Sequence, residues 1–401
     1  MAAIFAALGG AETWLIERTR DGGRKILISG GGRCNVLPAR VDESRFVTDS
    51  SPNLLRKMVR AWPLAEQRAF FEQTLGIPLE EEVESAKLFP ASHRARDVRD
   101  GLLRYARECG VRTRMETRVT GITPIDGKWE VVVDSGEPIL ADAVIVATGG
   151  LSVPNTGSDG AGLNMLSRLG HTMHPTYAAL TPLSTNSPAF NALAGISLSV
   201  SMSARSDAHS AQASGGFLFT HHGYSGPSVL NVSHVAVRAR AGHASAARVH
   251  VQWTDWGDAE WEAALKPQGA RTVTGALRAM LPDRLVTVLL ADAGVDATRV
   301  LSELRREERR RLIDTLVRGE LPWNGDEGYK KAEVTGGGVA LSEVHPRTME
   351  SRKHPGLYLC GEVLDAFGPI GGYNFLWAWS TGRSAGMAAA VDATTTHSAA
   401  E

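Results

Sequence analysis

The chain has 401 residues, 43% hydrophobic and 22% charged, a composition that excludes disordered and fibrous classes and leaves room for two domains. A formal net charge of -1 excludes a broad basic footprint for nucleic acid or an anionic membrane, so small molecules or another protein are the partners to expect. The three cysteines, Cys34, Cys109 and Cys360, are too scattered for a disulfide scaffold or a CxxC metal site and fit a reducing cytoplasm.

In chain order, Ala2–Ala7 reads as the back half of a helix closed by Gly9-Gly10, and a short strand from Thr13 to Ile16 ends at Glu17. Helix, strand, acid is the order of the second half of a dinucleotide-binding βαβ unit, where the acid accepts ribose hydroxyls. The strand and GxGxxG turn that open such a unit do not stand in the sequence. The expectation is an N-terminally truncated chain, about 10–20 residues short of that motif, with weakened FAD binding. Next, Arg24 and Lys25 lead into ILISGGGRCN, Ile26 to Asn35. Three consecutive glycines, Gly30, Gly31 and Gly32, suit neither a helix nor a strand and present a row of backbone N–H groups. With Ser29, Arg33 and Asn35 beside them, they make a candidate cradle for a pyrophosphate or a flavin edge.

Residues 51–77 and 94–109 show amphipathic helical spacing. Val111–Val119 and Lys128–Val133 read as a hairpin turning at Asp126-Gly127. ADAVIVATGG, Ala141 to Gly150, reads as a fully apolar central parallel strand opening into a Gly-Gly turn. Asp159 then heads a helix that Gly170 closes. From about residue 182 to 333 the character changes: Leu198–Ser203 and Ala247–Trp253 alternate like strands, and residues 257–318 are helical. In that segment His221 and His222 are candidates to contact substrate, or else polar loop residues. His171 and His174 lack a carboxylate cluster at ligand spacing, so no metal site is expected. The charged run LRREERRRL reads as a salt-bridged helix surface. The last segment holds TGGGV, a strand Gly356–Cys360, then Gly361, Glu362 and Asp365, GPIGGYN, and a helix Phe375–Ala390 thinned by Gly382 and Gly386. Trp377 and Trp379, two residues apart, are expected to put at most one ring into the core.

Together, ILISGGGRCN and GLYLCGEVLDAFGPIGGYNFLWAWSTG resemble the bacterial NAD(P)/FAD-dependent oxidoreductases of the aminoacetone-oxidase-like or BaiN-like type, over essentially the whole chain. The resemblance implies an α/β fold in which a Rossmann-like FAD-binding domain, residues 1–181 and 334–401, is interrupted by a β-barrel-like and helical domain, residues 182–333. It implies FAD as cofactor, with Glu17 at the adenosine ribose and Val119 at the adenine. Arg24, Lys25, Ser29, Gly30, Gly31, Gly32, Arg33 and Asn35 would then wrap the pyrophosphate and ribityl chain. Ala147, Thr148 and Gly149 would lie beside the cofactor, with Gly361, Glu362 and Asp365 near the ribityl chain. Gly371, Gly372, Tyr373 and Asn374 would meet the pyrimidine edge at a helix N-terminus. Cys34 is read as a packed cysteine rather than a redox thiol.

The activity implied is hydride transfer at flavin N5 with a small organic substrate, NAD(P)H or oxygen being the other redox partner. Reduction of conjugated carbonyl compounds and oxidation of amines both stay open, as does oligomeric state. The rival reading is a non-catalytic nucleotide-binding or scaffold protein that has lost its FAD loop.

Overall fold

Buried apolar side chains in the computed structural model, which describes residues 1–241 and 247–398, fall into two separate clusters. They correspond to two compact units, residues 1–176 with 334–401 and residues 177–333. The architecture is mixed α/β with Rossmann-type elements and a sheet-and-helix region within the chain.

In the first unit, the strand Trp14–Ile16 pairs in parallel with Arg112–Arg114, and Val144–Val146 pairs in parallel with Leu357–Leu359. The expected long strand over residues 141–150 is therefore much shorter. The chain leaves the ladder after Val146, and Ala147 and Thr148 are exposed. The hairpin arm is also displaced from its expected position. Val119–Ile125 pairs with Lys128–Val133 across Asp126 and Gly127, at φ 47° and 77°, the paired positive values a tight two-residue hairpin requires. Residues 51–77 split at Pro63 into helices Pro52–Val59 and Leu64–Ala69, the latter running into a π-helical turn, Phe70–Thr74.

Helix Ala2–Leu8 lies against the C-terminal helix Tyr373–Ser398, and small residues set the approach. A Cβ on Gly386 would stand 2.2 Å from the Ala2 carbonyl oxygen, and one on Gly9 would stand 2.5 Å from the Ala390 methyl. Trp377 and Trp379 are both buried, against the expectation that one would face outward. The C-terminal helix is enclosed on opposite faces. The Trp377 indole N–H donates to the Gly361 carbonyl at 3.0 Å, and that of Trp379 to the Val36 carbonyl at 3.1 Å. The Trp379 ring also stacks on Phe375, with centroids 5.2 Å apart.

The second unit is built on a seven-stranded antiparallel sheet in which Ser197–Arg205 pairs with the central strand Ser210–Thr220 and with Arg248–Gln252. Val200, Met202 and Ala204 turn inward on alternate positions, as a half-buried strand demands. No ladder joins the two ends of this sheet among the described residues. Helix Pro227–Ala241, which the Ser- and Gly-rich sequence conceals, buries Val229, Val232, Val235 and Ala236. The charged run forms helix Arg306–Arg318, which buries Leu312, Ile313 and Leu316 and pairs Arg318 with Asp258 and Arg309 with Glu262.

Candidate cofactor site

Strand Trp14–Ile16 delivers Glu17 at its carboxyl end, the edge at which open α/β sheets bind ligands. Its Oε1 accepts hydrogen bonds from the N–H and the hydroxyl of Thr19, both at 2.7 Å. The Thr19 hydroxyl in turn accepts the Gly22 N–H at 3.2 Å. The carboxylate is thereby oriented through one oxygen, leaving Oε2 for a ligand. Asp159 pairs with Arg18 and Arg118, tying the segment after the Gly149-Gly150 turn to this strand end and to Val119, the residue next to Arg118.

A second group of side chains joins four segments of the chain. Helix Arg24–Ile28 starts at Gly23, which is left-handed at φ 62°. It directs Lys25 to Glu362, with Nζ 2.7 Å from Oε2. Lys25 also reaches the Ser152 hydroxyl, which donates to Glu362 Oε1 at 2.8 Å. The same Oε1 accepts the Thr335 N–H at 2.9 Å. Thr335 Oγ1 accepts the N–H groups of Leu151 and Ser152 at 2.7 and 3.1 Å. Lys25 and Glu362 are each largely withdrawn from solvent, so this pair is worth more than an exposed one. Arg24 turns instead to Asp21, at 2.9 Å.

Gly30, Gly31 and Gly32 stand at φ 55°, 68° and 85°, three successive left-handed residues that only glycine adopts without strain. Gly30 packs on the Phe89 ring, in strand Lys87–Pro90. The other glycine block reaches the same small antiparallel sheet. Gly371 lies along the Lys87 side chain, and a Cβ on Gly372 would stand 2.4 Å from the Leu37 carbonyl carbon. One sheet thus carries both loops. Burial holds the Lys87 ammonium below its ordinary pKa. Arg33 is drawn onto this sheet too, pairing with Glu82 at 2.9 Å and lying over Phe89 at 4.2 Å. Ser29 closes the preceding turn by donating to the Ile26 carbonyl at 2.8 Å, and Asn35 sits against Gly30. Cys34 is fully buried, and burial pushes its thiol up to about 11.

Several anticipated ligand residues are engaged inside the protein. Asp365 is buried, and its Oδ2 accepts from the Thr48 hydroxyl, the Asp49 and Ser50 N–H groups and the Ser50 hydroxyl, each at 2.9 Å. Desolvation raises its pKa against those bonds. The Tyr373 hydroxyl donates to the Arg40 carbonyl at 3.2 Å. Asn374 exchanges two hydrogen bonds with the Gly368 backbone, each at 2.9 Å. The Gly361 N–H donates to the Thr381 hydroxyl at 3.0 Å. These residues shape the loops around the site. His221 and His222 are exposed on the turn between Ser210–Thr220 and Gly223–Ser225 in the second unit. Sequence reasoning missed Thr19, Ser152 and Thr335. Ser152 follows the ATGGL run and Thr335 heads TGGGV, and adjacency to those glycine blocks was the available signal.

The residues present fit FAD. A half-free carboxylate and exposed Ala147 and Thr148 stand at parallel strand ends, and a left-handed glycine turn lies on the neighbouring small sheet, where a dinucleotide needs ribose, van der Waals and phosphate partners. Among the described residues, no group of His, Cys, Asp or Glu could hold a metal ion, and no helix is long and apolar enough to cross a membrane.

Comparison with known proteins agrees with this geometry. Residues 1–388 match the model of the HI0933-like protein Rossmann domain. The chain is 31% identical over 391 residues to a ribosomal RNA dihydrouridine synthase of Escherichia coli, covering 94% of this chain and 92% of that protein. It is 32% identical over 403 residues to a 3-dehydro-bile acid delta(4,6)-reductase of Clostridium scindens, covering 97% and 96%. A solved quinol-fumarate reductase shares the fold, with a TM-score of 0.51 at 16% identity over 98% of this chain and 69% of that one. On the match over residues 1–388 and these full-length likenesses, the chain belongs to the HI0933-like Rossmann family, within the FAD- and NAD(P)-linked oxidoreductases.

Proposed function

We propose that this protein is an FAD-dependent reductase that adds a hydride and a proton across a carbon–carbon double bond conjugated with a carbonyl, on a small organic substrate. A nicotinamide nucleotide, bound transiently, is the source of electrons. The observation that carries the reading is the convergence of Gly150, Lys25, Ser152, Thr335 and Glu362 in one polar cluster after the end of a parallel strand, with Glu17 at a further strand end. When bound, FAD supplies a two-electron, hydride-exchanging centre. Glu17 would hold the ribose, the glycine turn at residues 30–32 the phosphates, and residues 147–149, Gly361, Glu362, Gly371 and Gly372 the rest of the cofactor's length. Asp365, Tyr373 and Asn374 hold the loops that carry those contacts.

Addition of hydrogen is the chemistry shared by the names of the two relatives, a dihydrouridine synthase and a delta(4,6)-reductase. Placement with the BaiN-like branch draws support from the 32% identity to the bile acid reductase. The net charge of -1 favours a small substrate over RNA, whose phosphates reward a basic surface. The test is the visible spectrum of purified protein with FAD, followed by NAD(P)H consumption with a steroidal or simple enone and, in parallel, with unmodified ribosomal RNA. Flavin bands with enone-dependent turnover support the reading. RNA-dependent turnover alone moves the substrate to RNA, and absence of flavin after reconstitution removes the redox reading.

A further inference from the structure

The TGGGV motif has no part in the assignment of cofactor contacts above, yet its strand, Val334–Val339, is buried at every position. Thr335, wholly buried, hydrogen-bonds the turn following Gly150 through its hydroxyl and the Glu362 carboxylate through its N–H. Its Oγ1 accepts two amide donors, Leu151 at 2.7 Å and Ser152 at 3.1 Å. Its N–H fixes Glu362 Oε1, and Glu362 Oε2 fixes Lys25. A buried N–H that loses its acceptor retains its full desolvation cost, so a hydroxyl that serves two donors, one of them buried, leaves the turn little freedom.

We propose that Thr335 is the positioning residue of this site. It couples the turn at residues 149–152 to the Glu362–Lys25 pair, so that both meet the cofactor as one pre-formed surface. The inference rests on the FAD reading above. Thr335 touches no reacting atom in this scheme; it acts by removing the ordering cost that cofactor binding would otherwise carry. Gly150 is part of the same device, because a Cβ there would stand 2.3 Å from Thr335 Oγ1 and force the hydroxyl out of reach of its donors.

The experiment is a titration of FAD into the protein, followed by quenching of flavin fluorescence, for wild type, Thr335→Val, Thr335→Ser, Glu362→Gln and the double variant Thr335→Val/Glu362→Gln. Far-UV circular dichroism and urea unfolding are run on each without FAD. Thr335→Val is expected to weaken FAD binding about tenfold or more, in line with the loss of an acceptor for two amide donors, one of them buried. Thr335→Ser, which keeps the hydroxyl, should stay within about threefold of wild type. The double variant should fall short of the product of the two single effects by about threefold or more, because both substitutions cut the same linkage. The proposal is overturned if Thr335→Val binds FAD like wild type, if Thr335→Ser is as weak as Thr335→Val, or if the two effects simply multiply. It is also overturned if Thr335→Val is unfolded while Thr335→Ser is native, since the role would then be fold-wide. Wild type that binds no FAD sinks the functional reading itself, a result distinct from a wild type that binds and a Thr335→Val that binds equally.

Discussion

Lys25 and Arg33 flank the triple-glycine loop with positive charge in the sequence, and phosphate is the natural partner to infer for both. In the fold each charge is already answered by a carboxylate, Glu362 for one and Glu82 for the other. Neither acid lies near its partner in the chain, so no spacing rule could have paired them. What was legible was the backbone: a glycine triplet must turn in a way other residues resist, and it does. The same logic yields a prediction at Gly372, left-handed at φ 90° and pressed against the Leu37–Pro38 backbone. Gly372→Ala should lower unfolding free energy by roughly 2 kcal/mol or more, from strain and overpacking together. An unchanged urea midpoint would contradict the packing described. The cysteines differ in the same measurable way. Burial pushes the Cys34 thiol up to about 11 and that of Cys360 up to about 12, whereas Cys109 is only half-buried. Native protein at mildly alkaline pH should therefore be alkylated at the more accessible Cys109 first, with Cys34 and Cys360 slower because burial both covers them and holds their thiols protonated. Mass spectrometry of the labelled peptides decides it, and early labelling of Cys34 would reopen a redox role.

Among the elements, the C-terminal helix shows why pattern reading succeeds in one place and fails in another. The glycine pair at 382 and 386 announced a close approach, and helix Ala2–Leu8 makes it. The tryptophan pair was misjudged because the one-face rule holds for a helix at a domain surface, whereas this one has partners on opposite faces. The two glycines are not equivalent. A Cβ on Gly382 meets its nearest atom at 3.4 Å, whereas one on Gly386 would meet the Ala2 carbonyl oxygen at 2.2 Å. Gly382→Ala should thus be neutral or gain up to about 1 kcal/mol of helix propensity. Gly386→Ala should lose about 1–3 kcal/mol by driving the helices apart. Chemical denaturation of the pair separates them, and equal effects would mean that the helices do not pack as described.

The turn after helix Ala161–Arg168 carries a pH dependence. Burial holds the His171 imidazole below its ordinary pKa, while Nδ1 donates to the Leu166 carbonyl at 3.1 Å and Nε2 accepts from the Ser351 hydroxyl at 2.8 Å. A lowered folded value means that the unfolded chain takes up the proton first as pH falls. Stability from this residue is complete above the ordinary histidine range and is lost as pH drops through it toward the folded value. His171→Gln should flatten the acid limb of the stability profile between about pH 7 and the folded pKa, below the ordinary value of about 6.5. The same slope in both proteins would assign that limb to other groups.

For the molecule as a whole, the separate cores of residues 177–333 and of the remaining chain make ligand linkage selective. FAD placed at Glu17, Lys25 and Glu362 should protect backbone amides of the first unit, by about 2.7 kcal/mol at a hundredfold excess over Kd, and leave the core of the second unit unchanged. Hydrogen exchange with and without FAD reads this out. Equal protection of Val249 and Val251 would place the cofactor elsewhere. At this scale the sequence changes character near residue 182 and again at TGGGV, whereas the structure divides the chain between residues 176 and 177 and between 333 and 334. The sequence did not show helix Pro227–Ala241 or strand Ser210–Thr220, in a stretch whose serines and glycines pass for loop.

The Lys25–Glu362 pair joins residues 337 positions apart, and that separation sets a schedule for synthesis. At a ribosomal pace of about 5–20 residues per second, roughly 20–70 s pass between the emergence of the lysine and of its carboxylate. During that interval the triple-glycine loop, the Ser152 turn and Lys25 lack the strand and acid that lock them. The second unit, continuous in sequence, can meanwhile complete its own core. A chain ended before Thr335 and released from the ribosome should therefore hold a folded second unit, while the surface proposed for the nucleotide remains unassembled.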